Sequence, residues 1–103
     1  MRVRFTPLAL GQVERRKRWW RDNRPKAPNL FDYELAQALE QLDNSRESFP
    51  VFTERSGRVI RRCLMPKTRC HIYFEVLSSD VLVHALSGAQ RRRSPRFKLQ
   101  DGP

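Results

Sequence analysis

The spacing of apolar residues changes along this chain, from a helical period before Phe49 to a period of two after it. The clearest helical segment begins at the good N-cap residue Asn29 and fades over residues 43–48. Asp32 and Glu34 lie in its first turn, where the helix dipole favours negative charge. One apolar stripe with the spacing of a helix face runs along it. The members of this stripe are Phe31, Leu35, Ala38, Leu39 and Leu42.

Another helix is predicted upstream, with Thr6 as its N-cap and Pro7 as its first residue. It should run to about Asp22, because the segment 23–28 contains two prolines that prevent its continuation. The short connection predicts that the two helices form an antiparallel pair. The apolar side of this helix holds Ala9, Val13 and Trp20, and the basic cluster at 15–18 lies mostly on the other side.

Alternating apolar and polar residues predict four strands, of which the last three are joined by the turn sequences PKT and LSSD. These strands are Arg2–Phe5, Arg58–Met65, Arg69–Val76 and Val81–Leu86. The predicted fold class is therefore α+β. A two-helix antiparallel hairpin packs on one face of a small antiparallel sheet, in the order β-α-α-β-β-β.

The alternation also divides the middle strand of the meander between two faces. Cys70, Ile72, Phe74 and Val76 should face the helices, while Arg69, His71, Tyr73 and Glu75 should lie on the open face. If LSSD forms the whole turn, Val76 pairs with Val81. His84 then lies opposite Tyr73, on the same open face.

Lys and Arg number 21 against 11 acidic residues, which gives a formal charge of +10 on 12.3 kDa. Such an excess predicts an anionic partner: a nucleic acid, an anionic membrane or an acidic protein segment. A chain of 103 residues with this composition is expected to form one domain, 1–103, with a basic C-terminal tail from about residue 89. Phe97 and Leu99 alternate with polar residues in this tail, which predicts that part of the tail packs against the domain.

The sequence also argues against several classes of protein and site. No apolar run approaches the ~18 residues of a transmembrane helix, and the N-terminal segment lacks the apolar stretch of a signal peptide. We therefore expect a cytoplasmic protein without a membrane partner. Cys63 and Cys70 have no metal-ligand spacing, so neither a metal nor another cofactor is expected. Two buried thiols are favoured for them, although a tight hairpin could bring them together as a disulfide.

Four passages occur in a characteristic order along nearly the whole chain. They are the N-terminal strand with FTPLAL, WWRDNRPKAPNLFDYELAQAL, GRVIRRCLMPKTRCHIYFEV and VLVHALSGAQRRRSPRF. The second resembles a helix–Asn-x-Pro–helix passage, the third an apolar strand followed by a tight turn and a Tyr-rich strand, and the last a final strand that runs into arginines and a proline. This succession resembles the RelE/ParE superfamily of bacterial type II toxins.

The resemblance implies one of two mechanisms. RelE-like members cut mRNA in the ribosomal A site, with basic residues plus a Tyr or His that moves protons. ParE-like members have much the same scaffold without that acid–base set, and they bind DNA gyrase. In both branches a cognate antitoxin wraps the toxin with an extended, often acidic segment.

Candidate site residues follow from the open face and the hairpin. RNA cleavage needs a base, an acid and a cation, and the candidates for a nuclease are His71, His84, Tyr73 and Arg61. Candidates for binding a target or the antitoxin are basic, because arginine pairs with phosphate and carboxylate. They are Arg61, Arg62, Lys67, Arg69, Arg91, Arg92, Arg93 and Arg96.

The chain departs from the family at the positions that the nuclease branch uses. Ser87 and Gly88 stand where an aromatic residue and a histidine are common, and Cys70 and Phe74 stand where tyrosines are common. We therefore favour a ParE-like toxin that is not an enzyme. The alternative is a RelE-like ribosome-dependent mRNA endoribonuclease. A weaker alternative is a non-toxic basic module that binds nucleic acid.

Overall fold

The computed structural model describes residues 2–89 and Leu99. Within that part of the chain, two helices pack on a sheet of five strands. The elements are β1 (Arg2–Phe5), α1 (Pro7–Asn23), α2 (Leu30–Ser45), a short 3-10 helix (Arg46–Ser48), β2 (Val51–Arg55), β3 (Arg58–Met65), β4 (Cys70–Val76) and β5 (Asp80–Gly88). The α+β fold class is thereby confirmed.

The sheet differs from the prediction in two ways. Its strand order is β1-β5-β4-β3-β2, and β1 runs parallel to β5, so the sheet is mixed rather than antiparallel throughout. No tight turn links β1 to β5, so local sequence does not determine their relative direction. The strand β2, which the prediction omitted, joins β3 through Ser56 and Gly57, both with positive φ. That backbone conformation is typical of a two-residue hairpin turn.

Helix α1 begins as predicted. The Thr6 hydroxyl accepts a hydrogen bond from Ala9 N at 3.1 Å and donates one to the carbonyl of His84 at 3.1 Å. One side chain therefore caps the helix and attaches it to β5. Asn29 occupies the N-cap position of α2, but its side chain makes no capping hydrogen bond.

The main core lies between the helices and one face of the sheet, and it contains the predicted stripe. Phe31, Leu35, Ala38 and Leu42 are buried, and Leu39 is partly buried against them. On β4, Cys70, Ile72 and Phe74 face this core as expected, with Val76 at its margin.

The other face of the sheet is covered, so the prediction of an open face was wrong. Ile60, Tyr73 and Ala85 form a second buried cluster, with Phe52 of β2 and Leu99 packed against it. Only 2% of Tyr73 is exposed. The unpredicted strand β2 supplies part of this cover. Leu99 was expected to dock and does, whereas Phe97 lies outside the described residues.

The register between β4 and β5 begins as predicted and then shifts. Val76 pairs with Val81, but the pairing is irregular between Tyr73 and Phe74. Ala85 therefore lies opposite Tyr73, and His84 is the extra residue of the bulge. The prediction that His84 lies opposite Tyr73 was wrong, because it assumed unbroken alternation. Arg69, predicted to begin the strand, instead lies in the preceding turn with φ of 60°.

Candidate functional site

A buried carboxylate links three strands on the sheet face that lies away from the helices. Glu75 of β4 is 5% exposed and binds Arg58 of β3 at two points, Nε to Oε2 at 2.9 Å and Nη2 to Oε1 at 2.6 Å. His84 Nε2 of β5 lies 2.9 Å from the same Oε1. The hydrogen bonds from Arg58 hold the pKa of Glu75 below its usual value, with a smaller contribution from His84 in the same direction. We conclude that Glu75 is ionised at neutral pH.

This network changes the interpretation of His84, one of the nuclease candidates. Its side chain is 0% exposed and its Nε2 faces the carboxylate of Glu75. A general base must lie within hydrogen-bond reach of the proton that it removes. With Nε2 held by Glu75 inside the sheet, His84 is arranged to bind its neighbours across strands rather than a substrate.

His71 lies in a different environment from His84. It is half-buried at the start of β4, opposite Ser87 in the register, and its ring centroid is 6.0 Å from that of Tyr73. Burial and, to a smaller extent, the charge of Arg62 lower its pKa below the ordinary value of 6.5. A neutral imidazole at this position could accept a proton. His71 lies opposite Ser87, which is three residues from His84 along β5. The two histidines are therefore separate, and each has its own partners.

The four described basic candidates do not form one cluster. Arg61 lies opposite Phe74, on the helix side, and donates from Nη1 to the carbonyl of Phe49 at 2.8 Å. Arg62 lies on the other face, with its guanidinium 5.5 Å from the centroid of the Phe52 ring. Lys67 and Arg69 are exposed in the β3–β4 turn. Arg91, Arg92, Arg93 and Arg96 lie outside the described residues.

A second buried carboxylate fixes the turn that presents Lys67. Glu34 of α2 is 6% exposed, and its Oε2 accepts a hydrogen bond from Lys67 N at 2.7 Å. Its Oε1 accepts one from Thr68 N at 2.8 Å and another from the Thr68 hydroxyl at 2.6 Å. Helix α2 thereby fixes the backbone of the β3–β4 turn, while the side chains of Lys67 and Arg69 remain exposed to solvent. The sequence did not predict this role of Glu34, because the helix dipole already explains an acidic residue in the first turn of a helix.

The two cysteines are buried and free. Cys63 pairs with Ile72 and Cys70 with Met65, so they are not opposite each other in the hairpin. Burial raises the pKa of Cys63 to about 11. Burial also raises the pKa of Cys70, and the charge of Arg16 partly opposes that rise. Both thiols are therefore core groups, as favoured from the sequence. Among the described residues, no group of three or more His, Cys, Asp or Glu side chains could hold a metal ion.

At the end of α1, two tryptophans and an arginine form a cluster of side chains in contact. Trp20 is 9% exposed and Trp19 is 41% exposed, with ring centroids 5.6 Å apart. The guanidinium of Arg24 lies 5.3 Å from the Trp19 ring and 6.0 Å from the Trp20 ring, at cation–π distance. One ring therefore packs inward, as predicted for Trp20, and the other remains accessible.

The similarity of this chain to known proteins lies in its structure. No protein-family model matches the sequence, and no curated protein matches it significantly. The fold is similar to that of a chain from the chromosomal ParDE toxin–antitoxin system of P. aeruginosa, with a TM-score of 0.68 at 11% sequence identity. The match covers 87% of this chain and 97% of that chain. At this identity the similarity shows a shared fold.

Within the described residues, neither helix is long and apolar enough to cross a bilayer.

Proposed function

We propose that this chain is the toxin of a toxin–antitoxin pair, of the ParE-like branch of the RelE/ParE superfamily. It arrests growth by binding an essential target, DNA gyrase, and a cognate antitoxin neutralises it. The observation that carries this proposal is the shared fold with the ParDE chain, over 97% of that chain's length. The four sequence passages that resemble the superfamily point independently in the same direction.

The buried state of two nuclease candidates supports the gyrase-binding branch. His84 is held by Glu75 with 0% of its side chain exposed, and Tyr73 is 2% exposed. A proton donor or acceptor for RNA cleavage has to reach the substrate. A protein that acts by binding needs no such group.

The proposed antitoxin partner follows from charge. Lys67 and Arg69 project from a turn that Glu34 holds in place, so they can meet carboxylates without prior ordering of the loop. An extended segment rich in Asp and Glu would pair with them, and such contacts weaken with salt. The proposed antitoxin is therefore acidic in the segment that binds the toxin.

One observation favours the endoribonuclease as a second candidate function. His71 is half-buried and has a lowered pKa, so it is neutral at pH 7, and Arg62 lies close enough to affect it. A neutral histidine beside an arginine is a suitable base for attack by a 2′-hydroxyl. The basic nucleic-acid-binding module remains a third candidate, which only the charge of +10 supports.

Assays with purified components separate these functions. The purified chain is added to DNA gyrase with plasmid DNA, and in parallel to ribosomes programmed with mRNA. We expect inhibited supercoiling and an increase in gyrase-linked DNA breaks, with intact mRNA. Cleaved mRNA together with unaffected gyrase would establish the endoribonuclease instead.

A further inference from the structure

A basic cleft lies between α1 and the last residues of β5. Strand β1 pairs only with residues 80–83 of β5, so beyond that point the edge of β5 faces α1. Gln12 reaches this edge and accepts a hydrogen bond from Leu86 N at 2.7 Å. The cleft has a volume of about 260 Å³ and opens between the α1 residues Gln12 and Trp19 and the strand residues 86–88.

Two arginines enter the cleft from different directions. Arg15 and Arg16 are consecutive on the helix, yet both line the cleft. Nη1 of Arg15 lies 3.6 Å from the place that a Cβ at Gly11 would take, so this side chain folds back along α1. Nη2 of Arg16 lies 3.2 Å from the place of a Cβ at Gly88, so its guanidinium rests against the end of β5. Glycine at position 88 leaves room for this contact.

Neither arginine has an acidic partner within the part of the chain that the structure describes. The described ion pairs engage Arg4, Lys17, Arg58 and His84. Glu14, the acidic neighbour of Arg15, lies 3.9 Å from Lys17 Nζ. Two guanidinium groups at one cleft without a counter-charge repel each other, and an anion between them removes that repulsion.

The number of charges and donors favours a phosphate over a carboxylate. A phosphate monoester carries close to two negative charges at neutral pH and offers three strong acceptor oxygens, which matches two arginines. A carboxylate carries one charge and would balance only one of them. Trp19 lines the same cleft with 41% of its surface exposed, so a planar base beside the phosphate could contact its ring.

We propose that the α1–β5 cleft binds a phosphate monoester, with Arg15 and Arg16 contacting the phosphate oxygens. The ester is either the 5′-phosphate of a free nucleotide or that of a nucleic-acid end. This inference does not depend on the proposed function, because it rests only on the cleft, on Trp19 and on two arginines that have no acidic partner among residues 2–89.

Isothermal titration calorimetry of the full chain at constant ionic strength tests this site. The probes are inorganic phosphate, adenosine 5′-monophosphate, adenosine, acetate and a short RNA with either a 5′-phosphate or a 5′-hydroxyl. We expect saturable binding of the phosphate-bearing probes and none of adenosine or acetate. Tighter binding of the nucleotide than of 5′-phosphorylated RNA indicates the free nucleotide as the source. The reverse order indicates a nucleic-acid end.

Matched variants assign the binding to this cleft. The double variant Arg15→Gln/Arg16→Gln should lose about tenfold or more in affinity, as expected for two charge-assisted contacts. Arg18→Gln/Arg21→Gln removes the same charge from exposed positions of the same helix and should change affinity by less than about twofold. Gly88→Val keeps every charge but displaces the Arg16 guanidinium, so it should also weaken binding.

Three results would overturn the phosphate site. The first is equal loss of affinity in the two double variants, which would make the effect one of net charge. The second is binding of acetate as tightly as phosphate, which would assign the cleft to carboxylates. The third is the absence of saturable phosphate binding by a wild-type chain that is folded by circular dichroism.

Discussion

Arg58 and Glu75 are joined by two hydrogen bonds on the side of the sheet opposite the helices, at 2.9 and 2.6 Å. Glu75 is 5% exposed, so its carboxylate is shielded from water, while 25% of the Arg58 side chain is exposed. Breaking a buried pair by removing one partner leaves an uncompensated charge, which is strongly destabilising. The pair, together with His84, therefore holds β3, β4 and β5 in register on the face that carries Tyr73.

Replacement of Glu75 by glutamine should destabilise the fold in a pH-dependent way. Arg58 holds the pKa of Glu75 below the ordinary value of 4.5, so the folded state binds this proton less tightly than the unfolded state. The stabilisation by ionised Glu75 is fully present at pH values above the pKa of Glu75 in the unfolded state. It is lost as the pH falls through the pKa of Glu75 in the folded state. Glu75→Gln should lower the free energy of unfolding by about 3 kcal/mol at pH 7. The difference from wild type should shrink steadily below about pH 4.

Urea denaturation at a series of pH values measures this effect. Glu54→Gln is the control, because Glu54 is exposed on β2 and should change stability by less than about 0.5 kcal/mol. A deficit in Glu75→Gln that is the same at pH 7 and at pH 3 would show that ionisation of Glu75 does not stabilise the fold.

Replacement of Glu34 by alanine should loosen the β3–β4 turn. Glu34 accepts three hydrogen bonds from Lys67 and Thr68, and their loss leaves two backbone N–H groups without this acceptor. We expect a loss of about 2–4 kcal/mol in the free energy of unfolding. Amide exchange at Lys67 and Thr68 should become faster than in wild type.

The matched control for that turn is Glu40→Ala, which removes an exposed carboxylate from the same helix. It should leave amide exchange at the turn unchanged. Equal acceleration in both variants would mean that the turn depends on the general stability of α2 and not on the Glu34 carboxylate.

The thiols of Cys63 and Cys70 should be unreactive in the folded protein. Both are buried, and the pKa of Cys63 is about 11, so little of its thiolate exists at pH 8. Modification by a thiol reagent should be slow in native buffer. In denaturant it should be rapid, and two thiols per chain should react. Rapid native-state labelling, or a chain with no thiol to titrate after denaturation, would contradict the buried and unpaired state.

His71→Ala should leave toxicity largely intact. His71 is half-buried, and the variant retains the buried network of Glu75, so the fold should survive the change. General acid–base catalysis contributes on the order of 10²–10⁴-fold in rate, so a nuclease that used His71 would lose most of its activity. Growth arrest is scored after induction of wild type and variant to equal protein levels, with circular dichroism to check folding. A folded variant without toxicity would assign catalysis to His71.

Much of the fold follows from periodicity. The stripe from Phe31 to Leu42 becomes the core face of α2, and Thr6 caps α1 as its position suggests. The features of the fold that were not predicted depend on contacts between residues that are far apart in the chain. The parallel pairing of β1 with β5 needs no local turn, and the bulge at His84 interrupts an alternation that the sequence leaves unmarked. The Ser-Gly pair at 56–57 was a usable signal for β2.

The site was harder to predict than the fold. Tyr73 and Glu75 were assigned to the correct face of β4, but the burial of Tyr73 involves Phe52 and Leu99, which come from distant segments. Glu75 is bound there by Arg58 and His84 of the neighbouring strands. Alternation indicates which side chains share a face, and it does not indicate what covers that face. The same reason explains why Glu34 was interpreted as a helix-terminal charge and not as the anchor of the β3–β4 turn.

The most direct test of the proposed toxin function is induction of this chain alone in a bacterial host. New 5′ ends of transcripts are mapped, and DNA breaks are scored, before and shortly after induction. We predict growth arrest with DNA breaks and a DNA-damage response while mRNA remains intact. Codon-phased mRNA cuts without DNA damage would contradict the gyrase account in favour of the endoribonuclease. Normal growth at high protein levels would contradict toxicity itself.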